Sequence, residues 1–296
     1  MSRPVLRPFL VWLLWVPALA VATTIGLLIW PVVGGHASFW GIAPRLIRFF
    51  AWAFGIRRRI EGWERLPEAI RSGRQPAIFV GNHASLLDPP LIISTLPCRP
   101  VFLANKELRS VPFLGCAMGM AGFIFVDRAN PARARASLSV AARRIHDGQS
   151  IAAFPEGTRS LDGQVLPFKK GVFGLAGEAD VPVVPFAIRG GARILPKGTW
   201  RVAPGDYCLR VGPPLDPGSF PNVDALRLAA ASAVRALMVQ DDQTVEGLAQ
   251  VRLFEGTLQA HMGPLEPGAA HLHPPAAAPG QVALPPDGED ARFPQP

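Results

Sequence analysis

The sequence has few cysteines and lacks the short motifs of several large protein classes. Its three cysteines, Cys98, Cys116 and Cys208, show no CxxC pair and no Cys/His spacing, so we interpret them as reduced thiols rather than disulfide partners or metal ligands. A P-loop and a cysteine-phosphatase loop are also missing, which argues against a phosphohydrolase. No zinc-ligand spacing, RNA-binding aromatic motif or helix-turn-helix pattern supports nucleic acid as a partner. We therefore predict no metal, no cofactor and no nucleic-acid ligand.

Charge is absent from a long stretch near the amino terminus. Residues 8–44 contain no Asp, Glu, Lys or Arg, and residues 9–33 are almost entirely apolar. A helix over these 25 residues would be about 37 Å long, enough to cross a hydrocarbon core of about 30 Å. Six of the seven tryptophans lie in the first 63 residues, and tryptophan favours the membrane–water interface. The sequence thus predicts a membrane helix.

The apolar run is followed by a stretch that mixes aromatic and basic side chains. Residues 38–60 fit a basic amphipathic helix in the interface, with Gly34 and Gly35 forming the turn before it. One spanning helix and a helical hairpin in one leaflet both remain compatible with this pattern. A cleaved signal peptide ending near Ala20 is disfavoured because apolar residues continue to Val33.

Net charge divides the chain into a basic body and an acidic end. The formal charge is +8, but residues 245–296 carry six acids and two arginines, a charge of −4, which leaves +12 on residues 1–244. A basic body suits anionic lipid head groups or phosphorylated substrates. We predict a membrane segment over 1–60, a main domain over 61–244 on the cytoplasmic face of the inner membrane, and a disordered Pro/Ala-rich tail over 245–296.

Short apolar runs alternate with helical patterns in the main domain. Predicted strands lie at 77–80, 101–104, 123–126, 151–154 and 183–188, and helices at 131–146 and 224–239. This alternation predicts an α/β fold with a mostly parallel central sheet flanked by helices.

The motif Asn82-His83-Ala84-Ser85-Leu86-Leu87-Asp88 follows the first of these strands. A histidine takes a proton near neutral pH, and a nearby aspartate can orient its ring. Five positions apart on one helix, the two would point about 140° apart, whereas a strand-to-helix loop can fold them together. The alternatives are that Asp88 only caps the helix that follows and that His83 is an ordinary loop residue.

Two further motifs carry groups suited to an anion. Phe154-Pro155-Glu156-Gly157-Thr158-Arg159 follows a buried strand, where Gly157 admits close backbone approach and Arg159 offers a planar fork for phosphate. Glu156 suits a substrate hydroxyl, although a plain turn with a Glu–Arg surface pair is equally compatible. Gly122-Phe123-Ile124-Phe125-Val126-Asp127-Arg128 ends in an arginine that binds phosphate or pairs with Asp127.

A fourth segment, Val181-Pro182-Val183-Val184-Pro185-Phe186, is apolar and fits an acyl-chain lining or a core strand. Taken together and in order, NHxxxxD, GFIFVDR, FPEGTR and VPVVPF resemble the 1-acyl-sn-glycerol-3-phosphate acyltransferase family, over about a third of the chain. The resemblance implies a glycerol-3-phosphate acyltransferase-like fold, with His83 as catalytic base and Asp88 as its orienting acid. It assigns acceptor binding to Gly122, Arg128, Glu156, Gly157, Thr158 and Arg159. It also places Lys106 near the reacting centre, where a solvated surface lysine is the alternative.

The implied reaction is acyl transfer from acyl-CoA or acyl carrier protein to the sn-2 hydroxyl of lysophosphatidic acid, which yields phosphatidic acid. The acceptor hydroxyl is the nucleophile, in keeping with the missing GxSxG motif. Alternatives are an acyltransferase for another lysophospholipid or aminolipid, and a non-catalytic lipid-binding protein on the same fold.

Overall fold

The computed structural model describes residues 3–127 and 129–239. Seven strands in this part of the chain are β1 (Ile56–Glu61), β2 (Ile78–Gly81), β3 (Val101–Asn105), β4 (Ile124–Val126), β5 (Ile151–Ala153), β6 (Val183–Arg189) and β7 (Gly205–Val211). The α-helices are α1 (Arg3–Val33), α2 (Gly35–Ala53), α3 (Glu68–Arg71), α4 (Asp88–Thr95), α5 (Leu114–Met120), α6 (Pro131–His146), α7 (Gly171–Glu178), α8 (Gly191–Ile194) and α9 (Val223–Val239). The predicted tail over 245–296 lies outside the described residues.

The strands form one sheet in the order β1-β7-β6-β2-β5-β3-β4. Five of its six neighbouring pairs are parallel, and only β6 and β7 run antiparallel. The predicted mostly parallel sheet with flanking helices is confirmed. Because β2 lies between β6 and β5, the segments that follow these three parallel strands meet at one edge of the sheet.

The sheet is buried on both faces, as a parallel sheet requires. Along β2, Phe79 packs into the core beneath α2 and α4, whereas Ile78 and Val80 pack into the core beneath α6, α7 and α9. This alternation follows the two-residue period of a strand. All three side chains are at most 1% exposed.

The two amino-terminal helices are joined by Gly34, whose φ of 80° favours glycine. Within α1, residues Trp12–Val33 form a helix long and apolar enough to cross a membrane, and most of it is exposed. The predicted amphipathic helix over 38–60 is shorter in the structure. It ends at Ala53, and Ile56 begins the edge strand β1.

One side of α1 packs against the main domain rather than standing away from it. The Trp15 ring meets the Phe50 ring of the neighbouring helix α2 edge-on, with 4.7 Å between centroids, and two further contacts reach the main domain. Trp12 Nε1 donates a 2.7 Å hydrogen bond to the Trp200 carbonyl, and Met120 lies against Gly26. Because Trp12 and Gly26 are 14 positions apart, about 21 Å of helix follows the domain surface.

Candidate active site

His83 and Asp88 touch in the loop between β2 and α4. His83 Nδ1 lies 2.9 Å from Asp88 Oδ2. The Asp88 side chain is fully buried, whereas the His83 side chain keeps 18% of its surface exposed. A ring nitrogen that faces a carboxylate carries the proton, so His83 Nε2 is left as the basic nitrogen.

Backbone groups fix the Asp88 carboxylate in place. Its Oδ2 atom accepts hydrogen bonds from the N–H groups of Ala84 and Ser85, both at 2.8 Å. Leu87 takes the N-cap position of α4, and the Asp88 side chain turns back toward the loop that precedes it. The alternative in which Asp88 only caps α4 is therefore wrong, because its carboxylate binds the loop and His83.

The loop between β2 and α4 is held in place at its start by the side chain of Asn82. The Asn82 side chain donates to the Ile188 carbonyl at 3.1 Å and accepts from the Ile188 N–H at 2.7 Å. The buried amide thus replaces a pair of strand hydrogen bonds between β2 and β6 just where the two strands separate. Ser85 adds a second anchor, since its hydroxyl donates to the Leu195 carbonyl at 3.0 Å.

Aromatic rings support the imidazole from one side. His83 stacks on Phe154, with 4.2 Å between centroids and 15° between planes. Phe154 meets Phe186 edge-on at 6.1 Å. The Phe186 ring in turn occupies the space beside Gly81, where an added Cβ would lie 2.2 Å from it. Only glycine at position 81 allows this stack to form.

The Glu-Gly-Thr-Arg loop after β5 is joined directly to the histidine loop. Glu156 Oε1 accepts a 3.3 Å hydrogen bond from the His83 N–H, and the Ser160 N–H donates to the His83 carbonyl at 2.8 Å. Glu156 is 4% exposed. Burial raises its pKa to about 7, against the opposing hydrogen bonds from the backbone N–H groups of His83 and Leu166. Its observed contact therefore orders the loop that carries the base.

Two lysines to which the sequence motifs assigned no role flank the Glu-Gly-Thr-Arg turn. Lys197 Nζ donates to the Arg159 carbonyl at 2.7 Å and lies 3.5 Å from the Thr158 hydroxyl. Lys169 lies against Gly157, whose φ of 76° holds the turn. These ammonium groups raise the positive potential around Arg159.

Lys106 follows β3 and reaches the end of β4. Its ammonium group lies 2.8 Å from Asp127 Oδ2, and Arg133 approaches the same carboxylate at 3.4 Å. The hydrogen bond from Lys106 is the main reason that the pKa of Asp127 lies below its usual range. Lys106 is thus held at the edge of the sheet that also carries His83 and Glu156.

Of the two remaining predicted residues, the structure describes only Gly122, and it does not bring Gly122 to this site. Gly122 forms the left-handed turn that precedes β4, with a φ of 79°. It therefore lies at the opposite edge of the parallel sheet from the groups that follow the strands. Arg128 lies outside the described residues. In residues 3–127 and 129–239, no group of three His, Cys, Asp or Glu side chains is arranged to hold a metal ion.

Comparison with known proteins agrees with this architecture. The family described as Acyltransferase matches residues 57–189. The 1-acyl-sn-glycerol-3-phosphate acyltransferase alpha of Mus musculus is 30% identical over 239 residues, which cover 80% of each chain. The chain belongs to the 1-acyl-sn-glycerol-3-phosphate acyltransferase family.

Other family members show the extent of the similarity. The enzyme of the same name from Limnanthes douglasii is 38% identical over 166 residues, which are 56% of this chain and 57% of that relative. The chain thus spans little more than half of this plant relative. The crystal structure of the 1-acyl-sn-glycerophosphate (LPA) acyltransferase PlsC from Thermotoga maritima superposes with a TM-score of 0.69 at 27% identity. It covers 79% of this chain and 95% of that one.

Proposed function

We propose that this chain transfers an acyl group from a thioester to the sn-2 hydroxyl of lysophosphatidic acid and so forms phosphatidic acid. The observation that carries the proposal is the 2.9 Å contact between His83 Nδ1 and the buried Asp88 carboxylate. This contact leaves Nε2 of a partly exposed ring available to a substrate hydroxyl. The names of the relatives supply the acceptor and the type of reaction.

In the proposed reaction His83 first acts as a general base. Nε2 takes the proton of the acceptor hydroxyl while the hydroxyl oxygen attacks the thioester carbon. The tetrahedral oxyanion then collapses, the carbon–sulfur bond breaks, and the thiolate takes the proton back from His83. Asp88 stabilises the imidazolium that exists between the two transfers. All protons and bonds in this reaction are accounted for by His83, the acceptor and the thioester, so the proposed reaction uses no further cofactor.

The acceptor phosphate is proposed to bind beside the base. Arg159 offers a planar fork for phosphate, and Lys197 and Lys169 support the turn that carries it. Lys106, which ion-pairs with Asp127, adds a further ammonium group at the same edge of the sheet. These groups suit an acceptor with a phosphomonoester better than a neutral one.

The amino-terminal helices are proposed to hold this site at a membrane. The exposed face of α1 carries large apolar residues such as Leu14, Leu28 and Val32. Since α1 follows the domain surface from Trp12 to Gly26, a hairpin embedded in one leaflet fits better than a helix that crosses the bilayer alone. The basic body favours the leaflet with anionic lipid, which supports the cytoplasmic face.

The experiment that tests the function is a thiol-release assay on purified full-length chain and on His83→Ala. We expect wild-type chain to acylate lysophosphatidic acid, and His83→Ala to lose about 10²–10⁴-fold in turnover because the base is gone. An exposed histidine at the end of α6 provides the matched control, His146→Ala, with turnover unchanged. Near-normal turnover in folded His83→Ala would refute the mechanism. If the wild-type chain preferred another lysolipid in a panel, that lysolipid would replace lysophosphatidic acid as the proposed acceptor.

A further inference from the structure

An exposed apolar loop tip lies between β3 and α5, outside the two amino-terminal helices. Val111, Pro112 and Phe113 form this tip, directly after the short 3-10 helix Lys106–Ser110, and all three are exposed. Val111 and Phe113 keep 41% and 44% of their surface exposed. Single exposed apolar residues are common on soluble proteins, but three in succession form a patch that indicates a contact surface.

The backbone holds this tip in a strained conformation. Phe113 has a φ of 60° and a ψ of −46°, and the Leu114 N–H donates a 2.6 Å hydrogen bond to the Pro112 carbonyl. This geometry is that of a γ-turn with positive φ, which is rare for a bulky residue. Gly115 permits the turn, because a Cβ at that position would lie 2.1 Å from the Arg109 carbonyl oxygen. Strain of this kind is concentrated at functional sites, where the surrounding structure holds it.

The tip is joined to α1 on the side of α1 that faces the domain. The Thr23 hydroxyl lies 3.5 Å from the Phe113 carbonyl oxygen, and Thr23 is 2% exposed. Helix α5, which begins directly after Phe113, continues the contact, since Met120 at its end lies against Gly26 of α1. The exposed Phe113 side chain is therefore a neighbour of the apolar helix.

A second exposed aromatic residue touches the same stripe of α1. Trp200 is 47% exposed, and its carbonyl accepts the hydrogen bond from Trp12 Nε1. Trp12 and Thr23 are 11 positions apart, which places them about 20° apart around the helix and about 16 Å apart along it. Aromatic loop residues thus border α1 at two levels.

We propose that the Val111–Phe113 tip is a wedge that enters the same leaflet as α1, an inference that rests on the proposed membrane placement of α1. A lipid bilayer suits this surface better than a protein partner, because the tip continues the surface of a helix with no charged residue from Trp12 to Val33. Trp200 favours the membrane–water interface, and the exposed Arg109 behind the tip suits anionic head groups. Insertion of the tip holds Lys106, at the other end of the 3-10 helix, near the level of the lipid phosphates.

The test measures the depth of labelled positions in phosphatidylglycerol/phosphatidylcholine vesicles. Full-length chain with Cys116→Ser, which removes an exposed thiol, receives Val111→Cys or Phe113→Cys and an NBD fluorophore on the new thiol. Chain with Cys116→Ser alone gives the background labelling. Val111 has ordinary extended backbone, so its label leaves the γ-turn intact even if Phe113→Cys fails to fold.

We expect a nitroxide on the lipid acyl chains to lower the emission of both tip labels about twofold, because interfacial segments lie about 5–10 Å into the boundary of the acyl chains. Aqueous iodide should quench the same labels less on vesicles than in detergent-free solution. Leu228→Cys, at a 55% exposed position on α9 across the sheet, is the matched control and should show neither effect.

The outcomes separate the wedge from the proposed function. Tip labels that bind with the vesicles but stay open to iodide and unquenched by the nitroxide would overturn the wedge, while the membrane placement of α1 stands. Equal quenching of the Leu228 label would overturn it as well, because the fluorophore itself would then enter the lipid. A full-length chain that does not bind vesicles would remove the placement of α1 and the wedge together. Thiol release from the labelled chains, measured in parallel, reports independently on acyl transfer.

Discussion

Replacing Asp88 by asparagine tests how much the negative charge of the Asp88 carboxylate contributes to turnover. The asparagine oxygen can take the place of Asp88 Oδ2, which accepts hydrogen bonds from Ala84 N–H, Ser85 N–H and His83 Nδ1. The two backbone donors, both at 2.8 Å, prevent the amide nitrogen from turning toward the ring. The imidazole therefore keeps its tautomer, and the variant removes the negative charge, while the amide nitrogen takes the buried Oδ1 position, which has no hydrogen-bond partner.

The size of the effect follows from the distance between the charges. Two unit charges about 4 Å apart attract by about 4 kcal/mol at an effective dielectric constant of about 20. The His83 ring is 18% exposed, so solvent reduces this stabilisation of the imidazolium. We expect a loss of about 2–4 kcal/mol in the transition state, which lowers kcat by about 30- to 1,000-fold.

The assay is initial-rate thiol release with lysophosphatidic acid at saturating donor. Circular dichroism and binding to anionic vesicles verify that Asp88→Asn is folded and membrane-associated. Asp147→Asn, an exposed aspartate after α6, is the matched control and should retain full turnover. Turnover of folded Asp88→Asn chain at nearly the wild-type rate would show that the carboxylate charge does not contribute, and the His–Asp mechanism would fail.

Three further predictions concern the residues around this pair. Arg159→Ala should lower kcat/KM for lysophosphatidic acid about 10- to 100-fold through lost phosphate contact, and an equal loss with monoacylglycerol would contradict that role. Glu156 has a raised pKa of about 7, so its neutral form is favoured by folding and its contribution to stability falls as pH rises from about 4.5 to 7. Denaturant unfolding in micelles should show that the free energy of unfolding of wild type falls by up to about 3 kcal/mol relative to that of Glu156→Gln across that pH window. If the free energies of unfolding of the two proteins changed in parallel with pH, this prediction would be refuted. Gly81→Ala should displace Phe186 and, through the stacked rings, His83, with lower kcat and about 1–3 kcal/mol less stability in the same two assays. Unchanged kcat would mean that the ring stack does not position the base.

Local signals explain which elements could be predicted from the sequence. Helix α6 spans Pro131–His146 as predicted, because Asn130 caps it through hydrogen bonds from Ala132 N–H and Arg133 N–H and a glycine follows its end. The five predicted strands are present because each is a short apolar run that the sheet buries on both faces. Turn residues mark where these runs end.

Strands β1 and β7 could not be predicted because their pairing is distant in sequence. β1 contains Arg57, Arg58 and Arg59 and lies at the sheet edge, where polar side chains can reach solvent. Arg57 forms its ion pair with Asp206 on β7, 149 positions away. Within one short window, the three arginines look like the continuation of a basic amphipathic helix.

Some contacts in the candidate site could also be predicted from the sequence, and others could not. The contact between His83 and Asp88 could be anticipated because a short loop between β2 and α4 closes it. The role of Lys197 could not be predicted, because its partner is the backbone carbonyl of Arg159, 38 positions away. Every residue has such a carbonyl, so the sequence does not indicate which one a lysine will bind. The part that Glu156 plays in holding the His83 loop was likewise hidden, because its partner is a backbone N–H.

The way α2 packs has a consequence for how the chain is made. Phe39, Trp40 and Phe50 of α2 are each at most 8% exposed, and the Phe39 ring packs 5.8 Å from Phe123, which precedes β4. The amino-terminal helices therefore contribute to the hydrophobic core of the main domain. A truncated chain that lacks residues 1–53 should expose this core and aggregate rather than yield a soluble enzyme. During synthesis these helices emerge long before Phe123, so the core that they share with the main domain can form only after the later segment has been made.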